Sequence, residues 1–102
     1  TKPLNIAIAG CGVAGLSAAA LLRKQGARVV IFDRFESPRP LGSGIIMQPV
    51  GMAVLDEIGC GDALRALAAL ITRLHGRNTP RQNVVLDVRY DARGADAPCG
   101  LG

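Results

Sequence analysis

A chain of 102 residues with 49% hydrophobic and 20% charged residues can bury one core, and this composition is that of a globular chain, not of a disordered one. Lys and Arg outnumber Asp and Glu by 12 to 8, a net charge of +4. The arginines nevertheless form no dense run, and only Phe32, Phe35 and Tyr90 could stack on bases, which argues against nucleic acid as a partner.

Leu4 to Ala9 is a short apolar run stopped by Gly10, the pattern of a strand buried on both faces of a parallel sheet. The apolar stretch behind Lys2 is broken by Asn5 and three glycines, so it is neither a secretion signal nor a membrane span. Val13 to Gln25 is built from Ala, Leu, Arg, Lys and Gln, good helix formers, and Gly26 stands where a helix-terminating glycine belongs. Arg28 to Phe32 is rich in β-branched residues and ends at Asp33, which predicts a second strand. Strand, helix and strand over residues 4–33 make a right-handed parallel crossover.

Pro38, Pro40, Gly42 and Gly44 then impose an extended loop. Pro49 suits the first turn of a second helix with Val50, Val54, Leu55 and Ile58 on its apolar face and Gly59 at its end. Asp62 is the expected N-cap of a third helix whose apolar positions run through Leu64, Leu67, Ala68 and Ile71. Val84 to Tyr90 alternates like a half-exposed strand, with Ile71 to His75 as its expected hairpin partner across a turn-rich segment. Residues 91–102 show no pattern and are expected to be poorly ordered. The chain begins at Thr1 and closes on Cys99-Gly100-Leu101-Gly102 with no helical or charged closing element, so it reads as part of something longer.

The chemistry is concentrated in Gly10-Cys11-Gly12-Val13-Ala14-Gly15, a G-x-G-x-x-G sequence leaving a strand and entering a helix. Gly10 permits the tight turn, Gly12 lets a pyrophosphate approach the backbone, and Gly15 lets the helix pack on the sheet. The helix has no Ser, Thr, Asp or Asn at its start, so its first N–H groups, including those of Val13 and Ala14, are available to a phosphate. Asp33 closes the second strand at about the 20-residue distance from the glycines that suits an acceptor for a ribose 2′-hydroxyl. Its charge disfavours a 2′-phosphate, and hence NADP, at this particular site. The side chain of Arg34 either covers an adenine face or is simply solvated.

Cys11 at a helix N-terminus invites comparison with activated thiols, but a pyrophosphate would cover it, and it reads as a small residue in a crowded turn. His75 has no Ser, Cys or carboxylate at a triad spacing and reads as a surface or strand residue. The three cysteines form no C-x-x-C pair, so no metal site is expected, and they read as reduced thiols of a cytoplasmic protein.

"IAIAGCGVAGLSAAALLRKQGARVVIFDR" followed by "LGSGIIMQPVGMAVLDEIGCGDAL" resembles the N-terminal part of the FAD-dependent aromatic hydroxylases of the para-hydroxybenzoate hydroxylase type, the group A flavoprotein monooxygenases. Asp33-Arg34 matches the family's acidic-basic pair, with Asp for the commoner Glu, and Gly42-Ser43-Gly44-Ile45, Gln48-Pro49 and Ile58-Gly59 match its next features. Where some members carry an arginine this chain has Gly42.

The resemblance implies an α/β fold, a Rossmann-like βαβ dinucleotide-binding unit with following helices and a β-hairpin, forming part of a larger FAD/NAD(P)-binding fold. In this reading residues 1–102 are the N-terminal part of one FAD-binding domain, with the βαβ unit at 4–33, a flavin-facing loop and helices at 42–70, a hairpin at 71–90 and the tail at 91–102. The ADP half of FAD would lie on Gly10, Gly12, Val13, Ala14, Gly15, Asp33 and Arg34. Gly44, Ile45 and Gln48 would lie toward the flavin ring.

The implied reaction is hydroxylation of a small aromatic substrate with NADPH or NADH as transient reductant. The flavin carries that chemistry, consistent with the lack of an evident catalytic acid, base or nucleophile. The rest of the FAD and substrate domains would be its partners. The alternatives are another FAD- or NAD-linked oxidoreductase and a non-catalytic dinucleotide-binding module.

Overall fold

The computed structural model describes residues 2–90 and 97–101. Strands β1 (Asn5–Ala9) and β2 (Arg28–Phe32) pair in parallel, with Ile6 opposite Val29 and Ile8 opposite Ile31. Helix α1 (Val13–Lys24) connects them and packs on the face that carries these four half-buried side chains. Both strands alternate along their length, and on the other face Val30 and Phe32 are 56% and 61% exposed. Within this chain one helix covers one face of the pair, and the other face, which the first strand's sequence led one to expect buried, is exposed.

Helix α1 stops by a backbone device. Gly26, at φ +93°, lets its N–H reach Arg23 O at 2.9 Å while the Ala27 N–H reaches Leu22 O at 3.0 Å, the paired bonds of a Schellman motif. Helix α2 (Pro49–Glu57) ends in the same way, with Gly59 at φ +83° and the bonds Gly59 N–H to Asp56 O and Cys60 N–H to Leu55 O. Pro49 occupies its first turn, as its missing N–H and fixed φ favour.

Helix α3 (Gly61–Leu67) starts one residue before Asp62, so Cys60 and not Asp62 is the N-cap. Asp62 lies in the first turn and meets Arg65 at 3.3 Å. The expected apolar stripe through Ala68 and Ile71 is also cut short, because Ala69 and Leu70 form strand β4. The cause is non-local. Strand β7 (Cys99–Leu101) runs antiparallel between β3 (Ile45–Met47) and β4, pairing Met47 and Leu70 with Cys99.

The disordered tail expected for residues 91–102 is accordingly corrected for its described part. Ala97 and Pro98 are buried and Cys99–Leu101 is a strand whose partners lie far away in sequence; residues 91–96 are outside the described residues. The hairpin consists of β5 (Arg73–Arg77) and β6 (Val84–Arg89), two residues later at its start than the sequence suggests, with an irregularity between Gly76 and Arg77.

Long polar side chains connect the pieces. Lys24 Nζ donates to both Glu57 Oε1 (2.8 Å) and Glu57 O (2.9 Å), joining the C-terminal ends of α1 and α2. Arg65 grips both oxygens of Asp56, at 2.6 and 2.7 Å, and holds α3 on α2. Gly61 is buried beneath this pair, and a Cβ there would run into the Asp56 carboxylate.

Among the described residues the buried hydrophobic side chains are few: Ala19, Met52, Tyr90 and Ala97. The radius of gyration is 17.7 Å, against about 13 Å for a compact domain of this length.

Candidate cofactor site

The glycine loop joins β1 to α1 at the carboxyl ends of the parallel strands, where open α/β sheets bind ligands. Its three glycines have three different reasons. Gly10 has φ +109°, a conformation open to glycine, and its N–H donates to Phe32 O at 2.7 Å. Gly15 is enforced by packing, since a Cβ there would collide with the carbonyl oxygen of Gly10 and sit 3.4 Å from Ile8 Cγ2.

Gly12 is different. Its φ of −88° suits any residue, and a Cβ would meet nothing within 4 Å. Packing among the described residues gives no reason for a glycine here; a ligand lying against the backbone would.

Above Gly12 the helix N-terminus has no side-chain cap, and its first turn contains no acidic residue. The first intrahelical bond is from Leu16 N–H to Gly12 O, which leaves the preceding N–H groups, those of Val13, Ala14 and Gly15, at the positive end of the helix dipole. Arg23 and Lys24 complement the opposite end. Beside the loop, Asp33 Oδ2 accepts the Cys11 N–H at 2.8 Å and Oδ1 accepts the Arg34 N–H at 2.6 Å. These backbone donors, Cys11's foremost, hold the Asp33 carboxyl below its ordinary value.

A cavity of about 840 Å³ opens between this loop and the segment that follows β2. Its polar lining includes Asp33, Arg34 and Arg39, and its apolar lining Leu16, Phe35 and Leu41. Positive charge, a helix N-terminus and one carboxylate acceptor next to an apolar bay suit a phosphorylated nucleoside: the loop for the phosphates, Asp33 for ribose hydroxyls, the bay for a flat base. The part played by Phe35 to Leu41 was not read from sequence beyond an extended loop. The alternation of Pro38, Arg39 and Pro40 was its signal, because prolines fix a path that local hydrogen bonds do not.

The structure brings Gly10, Gly12, Val13, Ala14 and Gly15 together with Asp33 and Arg34. It does not bring Gly44, Ile45 and Gln48 into that cavity. Gly44 precedes β3, Ile45 pairs with Leu101, and Gln48 is the N-cap of α2, with its carbonyl accepting the Met52 N–H and its side chain making no capping bond. His75 stands on β5 opposite Asp87.

Residues 4–99 match the FAD binding domain family. The chain belongs to this family. It is 42% identical over 65 residues to 3-amino-4-hydroxybenzoate 2-monooxygenase of Streptomyces cremeus, a match covering 64% of this chain and 16% of that protein. Its fold matches the tetrameric form of 2-methyl-3-hydroxypyridine-5-carboxylic acid oxygenase with a TM-score of 0.79 at 22% identity, covering 98% of this chain and 26% of that one. It also matches Klebsiella pneumoniae HpxO complexed with FAD and uric acid, with a TM-score of 0.73 at 20% identity over 97% of this chain and 25% of that one. The chain thus spans about a sixth of the Streptomyces relative's length and about a quarter of the matched structures. The α/β fold expected from sequence is the fold found, and the resemblance to FAD-dependent aromatic hydroxylases is upheld.

Proposed function

We propose that this chain holds the ADP half of FAD in a flavin-dependent monooxygenase that hydroxylates small aromatic substrates, with NADPH or NADH as the reductant. The observation that carries the assignment is Gly12: a glycine without conformational or packing cause, under an uncapped helix N-terminus and beside the Asp33 carboxylate. Backbone N–H groups of Gly12, Val13, Ala14 and Gly15 would bind the pyrophosphate, with Gly10 setting the turn. Asp33 would accept from the ribose, and Arg34 would flank the adenosine. Gly44, Ile45 and Gln48 would face the flavin ring, a role supported by the family resemblance. When bound, FAD supplies the redox and oxygen-activating chemistry, and the protein supplies binding, orientation and electrostatics.

The aromatic substrate class is supported by the relatives' names, among them 3-amino-4-hydroxybenzoate 2-monooxygenase and 3-hydroxybenzoate 6-hydroxylase 1. The exposed apolar face at Val30 and Phe32 suits packing against the rest of the FAD domain. No described helix is long and apolar enough to cross a membrane. Cys11, Cys60 and Cys99 are all free thiols, which supports a cytoplasmic setting.

The test is NAD(P)H oxidation by the full-length protein loaded with FAD, measured with and without a panel of hydroxybenzoates and phenols. Oxidation stimulated by at least one aromatic, with oxygen incorporated into it, is the expected result. Tight binding of NAD with no uptake of FAD would replace this reading with that of an NAD-linked enzyme.

A further inference from the structure

The contacts of Asp33 give it a second task besides receiving a ribose. Its carboxylate bonds the Cys11 N–H through Oδ2 at 2.8 Å and the Arg34 N–H through Oδ1 at 2.6 Å. Each carboxylate oxygen offers about two acceptor directions, and with the Phe35 amide as a further, weaker backbone donor, about one direction remains open for a ribose hydroxyl. Receiving the ribose therefore does not require releasing the loop.

The loop needs such a tie. Glycines at 10 and 12 leave its backbone with the largest conformational freedom a chain can have, and Cβ atoms at either position would find open space rather than packing. Two consecutive N–H groups pin it to the end of β2: Gly10 to Phe32 O, and Cys11 to the Asp33 side chain. The first is backbone to backbone and survives any substitution that keeps the strands. The second depends on the side chain at position 33.

We infer that Asp33 is a positioning residue for the diphosphate: by holding the Cys11 N–H it fixes the loop whose following N–H groups would face the pyrophosphate, independently of any ribose contact. This inference rests on the ADP-binding reading above. It assigns the cysteine of the motif a role through its backbone, with its thiol as bystander. It also means that exchanging Asp33 to admit a 2′-phosphate would loosen the phosphate cradle at the same time.

The test compares ADP with 2′,3′-dideoxy-ADP, which lacks both ribose hydroxyls, by calorimetric titration of the full-length apoprotein and its Asp33→Ala and Asp33→Asn variants. A residue that only receives the ribose gives dideoxy-ADP the same affinity in all three proteins, or a higher one in the variants, because a negative charge near the diphosphate has been removed. A positioning residue gives the opposite sign. We expect Asp33→Ala to bind dideoxy-ADP about fivefold more weakly, the scale of one exposed charge-assisted hydrogen bond. Asp33→Asn, with one acceptor oxygen for two donors, falls in between.

In the same apoproteins the Cys11 amide should exchange its hydrogen faster in Asp33→Ala, while the Arg28 and Val30 amides of β2, which donate toward β1, keep their rates. This readout separates a loosened loop from a loosened fold. Equal or tighter binding of dideoxy-ADP in the variants, or an unchanged Cys11 exchange rate, overturns the inference and leaves the site assignment intact. Failure of the wild-type apoprotein to bind ADP at all overturns the site assignment itself.

Discussion

A methyl group on Gly15 would be driven into the carbonyl oxygen of Gly10, whereas one on Gly12 would enter open space. The two substitutions should therefore fail differently. Gly15→Ala forces α1 away from β1 and is expected to cost about 1–3 kcal/mol, the usual range for overpacking, read as a lower melting temperature with weakened FAD binding. Gly12→Val is expected to leave the melting temperature of the apoprotein nearly unchanged and abolish flavin binding. Equal loss of stability in the two variants would show that Gly12 serves the fold and not a ligand. The roles of Gly10 and Gly15 were legible in the G-x-G-x-x-G spacing because both follow from backbone geometry. The bond from Cys11 to Asp33 was not, since spacing alone does not reveal which loop amide a side chain at the end of the next strand will meet.

The elements were legible where their causes are local. Helix formers followed by a glycine gave α1, and the Schellman bonds after α1 and α2 show why Gly26 and Gly59 end them. They were illegible where pairing is distant: β7 and β4 rest on a sheet assembled from three separate stretches of chain.

At this scale Arg65, Asp56 and Gly61 act as a unit. Arg65→Ala removes a half-exposed pair and should lower the melting temperature only slightly. Gly61→Ala displaces the same carboxylate and should cost more, and the double variant should fall short of the sum, because both changes break one contact.

The ion pairs also set a pH response. Hydrogen bonds from Arg65, Lys24 and Arg73 lower the carboxyl pKa values of Asp56, Glu57 and Asp87, and the Cys11 and Arg34 amides lower that of Asp33. Each depressed value contributes stability that is present above the ordinary carboxylate values of 3.8 and 4.5 and is lost as pH falls through the lowered folded ones. Melting temperature should accordingly fall on acidification below about pH 4.5. A flat or rising profile there would contradict these pairings.

At the scale of the whole molecule, the described residues form an extended arrangement of three small sheets with few buried side chains, and the sheet face carrying Val30 and Phe32 is open. That openness was not legible in a composition that looked globular, because composition does not say what a hydrophobic face packs against. The fold class was legible, since strand, glycine loop, helix and strand follow one another within the first 33 residues. The candidate dinucleotide site was legible as a proposal, from its glycines and its acidic residue. The central claim is that this site takes FAD, and the visible absorption spectrum of the purified full-length protein tests it most directly. The account predicts a yellow protein whose bound flavin is released as FAD on unfolding and is missing from the folded Gly12→Val variant; a colourless protein that takes up no flavin when incubated with FAD would contradict it.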